Sequence, residues 1–170
     1  VITIGESAFS SCKSFTSVTI PDNVITVGKG AFSSCNNITK ATLSNSMTKV
    51  PDSIFSYCTA LRSVSLPSNT VSIDKLAFNE CENLSSISLP NSLTSIGMRA
   101  FSNCKSLRSI SIPANVITID ENAFNGCTAL TGITIPGSVS AVGQSAFSDC
   151  TSLRTAVIQQ GVLNINENAF

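Results

Sequence analysis

Ala8-Phe9-Ser10-Ser11-Cys12 is the first instance of a motif, Ala-Phe-x-x-Cys, whose recurrence decides the fold. Cysteine returns at Cys35, Cys58, Cys81, Cys104, Cys127 and Cys150, each step being 23 residues, and phenylalanine keeps the same step from Phe9 to Phe170. A constant period over a whole chain marks a repeat array, in which each coil buries its apolar face against its neighbours and the core is a line. Residues 1–170 therefore read as one solenoid of about seven 23-residue coils. The chain starts and stops inside a repeat, whereas solenoid ends ordinarily carry atypical capping repeats. The expectation is a piece of a longer array, with uncapped ends as a possible route to self-association.

The coil from Leu107 to Phe124, LRSISIPANVITIDENAF, shows how one unit is built. Leu107, Ile110 and Ile112 follow the L-x-x-L-x-L pattern of leucine-rich repeats. From Ser109 to Ile112 apolar residues alternate with serine, the period-two signature of a strand with one face inward. Pro113, repeated at Pro21, Pro67, Pro90 and Pro136, cannot donate to a ladder and marks the strand's end. Val116 and Ile119 turn the chain back beneath the strand. The next slot holds Gly5, Gly28, Gly97, Gly143, Asp74, Asp120 or Asn166, with Pro51 as the exception. Gly, Asp and Asn favour helix N-caps, and Ala123, Phe124 and Cys127 would share one face of a helical turn. The expected fold is a right-handed leucine-rich-repeat coil, with a parallel β-sheet on the concave face and short helical or 3-10 turns on the convex face.

Composition excludes several functions. Ten Lys plus Arg balance ten Asp plus Glu, and charged residues make up 12%, about half the ~25% usual in globular chains. Nucleic-acid binding, which calls for a basic stripe, is not expected. The uncharged stretch from Asn122 to Ser148 is broken by Gly, Pro, Ser and Thr, so it lacks the ~20 apolar residues of a membrane span. There is no histidine, no C-x-x-C and no Gly-rich phosphate loop. Each Ser or Cys singled out above occupies a repeated slot without a nearby base, and Asp74 and Asp120 recur at cap positions. No catalytic residue, metal site or cofactor is expected. Stacked coils bring equivalent cysteines within disulfide range, ~4.7–4.9 Å against ~4.4–6.8 Å. All seven point the same way, however, and the odd count leaves one over, so the reading is a ladder of buried thiols.

A second period of 46 residues overlies the first. Asn23, Ser46, Asn69, Ser92, Asn115 and Ser138 swap strictly, and Arg62, Arg108 and Arg154 fall in one column two coils apart. At ~4.8 Å per coil the guanidiniums recur about every 9–10 Å. Lys40, one residue further along its coil, could extend the row. Outward strand positions hold small hydroxyls, among them Thr19, Thr42, Ser65, Ser88, Ser111 and Thr134. Two readings stand: solvated charges on a Ser-rich surface, or a spaced row of bidentate donors for carboxylates or sulfates on a partner.

With L-x-x-I-x-L-P, x-x-L-x-x-I-G and A-F-x-x-C assembled in one unit, as in LSSISLPNSLTSIGMRAFSNC from Leu84 to Cys104, the chain resembles the BspA-like leucine-rich-repeat family. Departures are Ser44 and Gln159 in the proline slot, Ile54 for Ala and Pro51 for Gly. The resemblance implies a non-catalytic cell-surface or secreted adhesin module that binds host cells or extracellular-matrix proteins through its strand face. The alternative is a spacer or self-associating stalk, in which the apolar column Ile25, Val71, Ile117 and Leu163 makes edge contacts. Asn37-Ile38-Thr39 and Asn83-Leu84-Ser85 match the glycosylation acceptor pattern, which an Asn- and Ser-rich chain also produces by chance.

Overall fold

The computed structural model describes residues 1–170 and is a parallel β-solenoid with two columns of short strands. The first column carries β2 (Ser17–Thr19), β4 (Lys40–Thr42), β6 (Ser63–Ser65) and β8 (Ser86–Ile87), then β11 (Gly132–Ile135) and β13 (Thr155–Ile158). The second carries β1 (Thr3–Ile4) with β3 (Thr26–Val27), then β5 (Lys49–Val50), β7 (Ser72–Ile73), β9 (Ser95–Ile96), β10 (Thr118–Ile119), β12 (Ala141–Val142) and β14 (Asn164–Ile165). Every pairing is parallel and joins residues 23 apart, as in Ser17↔Lys40↔Ser63 and Ser72↔Ser95↔Thr118. The sequence period is thus the strand register. The second column was expected only as a returning segment.

Both columns are interrupted once. In the second, Gly28, Asp74, Gly97, Asp120, Gly143 and Asn166 each donate a backbone N–H to the carbonyl 24 residues earlier. Pro51 occupies that slot without an N–H, and the ladder breaks between β3 and β5. In the first column Ser109–Ile112, read above as a strand, keeps Ile110 and Ile112 inward but joins no ladder. Its sequence matches that of its neighbours, and nothing in it explains the gap.

The turn face corrects a second expectation, because it contains no helical or 3-10 turn. In the third coil the amides of Ser53, Phe55 and Tyr57 donate to Lys75, Ala77 and Asn79 of the next coil. Those of Ile54, Ser56 and Cys58 donate within the coil, to Pro51, Ser53 and Phe55. Alternate amides therefore serve the stack and the turn in rotation, which a helix cannot do because it spends every N–H on its own chain. The alternation needs two residues per coil with left-handed backbone, such as Ser53 (φ 55°) and Tyr57 (φ 62°). Gly, Asn and Asp, which visit that region most readily, fill several of these slots, such as Gly30, Gly126, Asn103, Asn122 and Asp149, and the small side chain of Ser fills others. The slot read as a helix cap lies two residues before each of the first left-handed positions, where Leu76 and Arg99 give no signal of the turn.

Between these walls lies one continuous apolar core. Phe55, Phe78, Phe101 and Phe124 are fully buried, and successive rings from Phe9 to Phe170 stack with centroids 5.1–6.0 Å apart. The 46-residue period also has a steric basis. A Cβ on Gly97 would lie 2.8 Å from the Lys75 backbone nitrogen, and one on Gly143 would lie 2.5 Å from that of Glu121. Gly-bearing coils thus nest on coils that carry Asp74 and Asp120 in the same slot. Gly143→Ala is expected to cost roughly 3 kcal/mol, the upper part of the range for overpacking, because the obstruction is backbone. Urea unfolding of the variant beside Asp120→Ala, expected to cost less, checks this.

Candidate functional site

The strand face is built from slots that alternate between two roles. In the column preceding the strands, Thr39, Ser85 and Thr131 donate their hydroxyls to the carbonyls of Thr16, Arg62 and Arg108 in the coil before, at 3.1, 3.4 and 3.4 Å. Those short side chains lie back against the backbone. The coils between them carry Arg62, Arg108 and Arg154, all exposed. The protein's ion pairs lie elsewhere, joining Lys29 and Lys75 to Asp52 and Lys105 to Glu82. The three guanidiniums therefore stand alone from one column, with a tied-down hydroxyl between each pair.

Other expected site residues fall as follows. Lys40 pairs with Ser17 and Ser63, so it is exposed one position ahead of the arginine column rather than in it. Thr19, Thr42 and Ser65 form one aligned row, with Thr42 half-buried and the other two exposed. Ser88, Ser111 and Thr134 are exposed, but Ser88 and Ser111 sit outside the assigned strands, so the row is not one continuous ladder.

The second strand column repeats the device. Thr94 and Ser140 donate to the carbonyls of Val71 and Ile117 at 3.1 and 3.0 Å, leaving Ile25, Val71, Ile117 and Leu163 exposed two coils apart. The Asn/Ser alternation is structural as well. Asn69 and Asn115 donate amides to Asn45 and Asn91 carbonyls, while Ser46 and Ser138 donate hydroxyls to Asp22 and Val116. The two acceptor-pattern asparagines behave alike, Asn37 donating to Lys13 at 2.7 Å and Asn83 to Thr59 at 2.8 Å.

The cysteines are free thiols. Cys35, Cys58, Cys81, Cys104, Cys127 and Cys150 each point an S–H at the carbonyl of the Phe 26 residues earlier, at 3.0–3.3 Å. That carbonyl already accepts an N–H from the cysteine of its own coil, so the thiol fills its second lone pair. Burial pushes the Cys58 thiol up to about 12 and raises Cys81 and Cys104 far above their ordinary value. Thiols held neutral in this way are poor nucleophiles and poor metal ligands. No group of three or more His, Cys, Asp and Glu side chains is placed to hold a metal.

The turn face carries a feature that the repeat pattern did not bring out. A polar groove of about 760 Å³ crosses six coils between the two rows of left-handed residues. Its floor is the residue after each Phe, including Ser33, Ser56, Asn79, Ser102 and Asn125. The signal was present as the Phe-Ser and Phe-Asn alternation, but a helical reading of the turn hides the groove.

Comparison with known proteins agrees with this architecture. The model of the BspA type leucine-rich-repeat region matches six copies, over residues 1–85 and 71–170. A search of curated protein sequences finds no match. Among solved structures, the leucine-rich-repeat protein TpLRR of T. pallidum superposes with a TM-score of 0.85 at 26% identity, over 96% of this chain and 77% of that one. A leucine-rich-repeat protein of Bacteroides ovatus gives 0.57 at 23% identity, over 100% and 67%. The pneumococcal vaccine antigen PcpA gives 0.69 at 20% identity, over 99% of this chain and 46% of its own. The 23-residue coils, the stacked Phe and Cys columns and the matched family model agree: this chain belongs to the BspA-type leucine-rich-repeat family.

Proposed function

We propose that the chain is a non-catalytic, cell-surface or secreted binding module that adheres to host or extracellular-matrix proteins through its strand face. The observation that carries the reading is the column of Arg62, Arg108 and Arg154, exposed and free of acidic partners, with the intervening hydroxyls bonded back to the main chain. Such a row offers bidentate guanidinium forks at a fixed two-coil interval, suited to carboxylates or sulfates displayed by an extended partner. Solenoids present extended surfaces of this kind for protein recognition. Similarity to a bacterial vaccine antigen agrees with exposure at a surface.

Biolayer binding to a panel of purified matrix and plasma proteins tests the proposal. The protein is expected to bind at least one of them saturably, more weakly at higher salt. The Arg62→Ala/Arg108→Ala/Arg154→Ala variant is expected to lose about a thousandfold or more in affinity, since each of the three lost charge-assisted bonds is worth ~1.5–3 kcal/mol. Equal binding by both proteins would remove the arginines from the site.

A second reading, self-association, is favoured by the exposed column of Ile25, Val71, Ile117 and Leu163. It requires concentration-dependent oligomers in sedimentation that disappear when all four become Thr, the residue found in that slot at Thr48 and Thr94. Sedimentation as a monomer at every concentration would reject it.

A further inference from the structure

We propose that the groove on the turn face is a second binding site, separate from the strand face, for a neutral, extended oligosaccharide. It runs across six coils and is lined almost wholly by hydroxyl, amide and charged side chains. Its charged residues cancel, Glu6 and Glu80 against Lys29 and Arg99, so it offers no net attraction to an anionic polymer. Ser102 is 5% exposed, and its hydroxyl makes no hydrogen bond within the protein. Asn79, 7% exposed, reaches only the Ser56 hydroxyl, at a long 3.5 Å. No buried side-chain polar atom of the protein lacks a partner, so the unbonded Ser102 hydroxyl is open to the groove, where a ligand hydroxyl could meet it.

The backbone excludes the obvious competitor, an extended peptide. In the coil from Ser53 to Cys58 all six consecutive amides are already spent in the turn ladder, so a peptide finds no free edge for strand addition. Spacing also disfavours it. A strand repeats its side chains on one face every ~6.6–6.8 Å, while the coils repeat at 5.1–6.0 Å along the Phe stack beneath the groove. An extended β-linked hexopyranose chain advances by a similar step per sugar and presents hydroxyls to both sides. Tyr57, 54% exposed on the groove wall, adds an aromatic face of the kind that packs against sugar C–H groups. Asn103 holds Glu80 in place with a 2.7 Å hydrogen bond, fixing an acceptor on the same wall.

Titration calorimetry with cellohexaose and chitohexaose, beside their disaccharides, tests the site on the whole chain. Saturable binding that strengthens from the disaccharide to the hexasaccharide is expected. Tyr57→Asn with Ser102→Ala should weaken it about tenfold while leaving thermal unfolding unchanged, because Asn suits the left-handed backbone at that slot and the Ser102 hydroxyl has no internal partner. The triple arginine variant should bind both sugars as the unmodified protein does, which separates this site from the strand face. No binding of either hexasaccharide, affinity independent of length, or equal affinity in the double variant would overturn the proposal.

Discussion

Raising the pH above 9 is expected to destabilise the array by about 4 kcal/mol per pH unit from three of its core thiols alone. Cys58, Cys81 and Cys104 sit in the core with pKa values pushed up from 9.0, Cys58 to about 12 and the others in the same direction, by burial. Below pH 9 both folded and unfolded chains hold these protons, and stability does not depend on them. Above it the unfolded chain releases them while the folded chain retains them. The unfolded state then binds fewer protons and stability falls with pH, by ~1.4 kcal/mol per unit for each thiol. The loss continues up to the folded-state pKa, so the window opens at 9 and extends to about 12 for Cys58. Urea midpoints at pH 8, 9, 10 and 11 measure the slope, and Cys58→Ala/Cys81→Ala/Cys104→Ala should flatten it. An unmodified protein as stable at pH 11 as at pH 8 would show that the thiols are accessible.

The second large effect is expected at the centre of the Phe stack. Phe101 is fully buried, with rings above and below at 5.3 and 5.1 Å, the latter nearly parallel at 5°. Truncation to Ala removes the transfer energy of the ring and leaves a cavity that two hydrogen-bonded walls cannot close, a loss of ~3–5 kcal/mol. Two stacked pairs go with it, each worth ~0.5–1.5 kcal/mol beyond burial. Because each coil touches only its neighbours, the damage is also local. Hydrogen exchange should open the coils of Phe78, Phe101 and Phe124 first, while coils nearer the ends keep their protection. Phe9→Ala is the control: Phe9 is 36% exposed and should cost far less. Equal losses for the two variants would contradict a core held together coil by coil.

Much of the architecture was legible because the period acts directly as a register. Once Cys12 and Cys35 are 23 apart, Ser17 must stack on Lys40, and the buried thiol ladder follows. The turn face was not legible. The Gly, Asp and Asn slot that suits a helix cap lies two residues before the left-handed position, which holds residues as varied as Leu76 and Arg99, so only the cross-coil amides, such as Phe55 to Ala77, distinguish the turn from a helix. The groove depended on that distinction and stayed hidden with it. Pro51 was visible as an exception, but its effect, the missing N–H to Val27, emerges only once the second strand column is known. The arginine column was readable from spacing. What isolates it was not, because Ser85 and Thr131 look like surface hydroxyls until their bonds to Arg62 and Arg108 carbonyls are seen.

Binding is expected to depend on the spacing of the arginines rather than on their charge, which a charge-neutral relocation measures directly. Arg108→Ser with Thr131→Arg moves one guanidinium by a single coil along its own column and leaves net charge unchanged. Affinity for the matrix or plasma protein that binds the unmodified chain would be compared at the same salt concentration. A loss of about tenfold is expected, the equivalent of one charge-assisted contact out of register. Unchanged affinity would contradict it and reduce the row to surface charge.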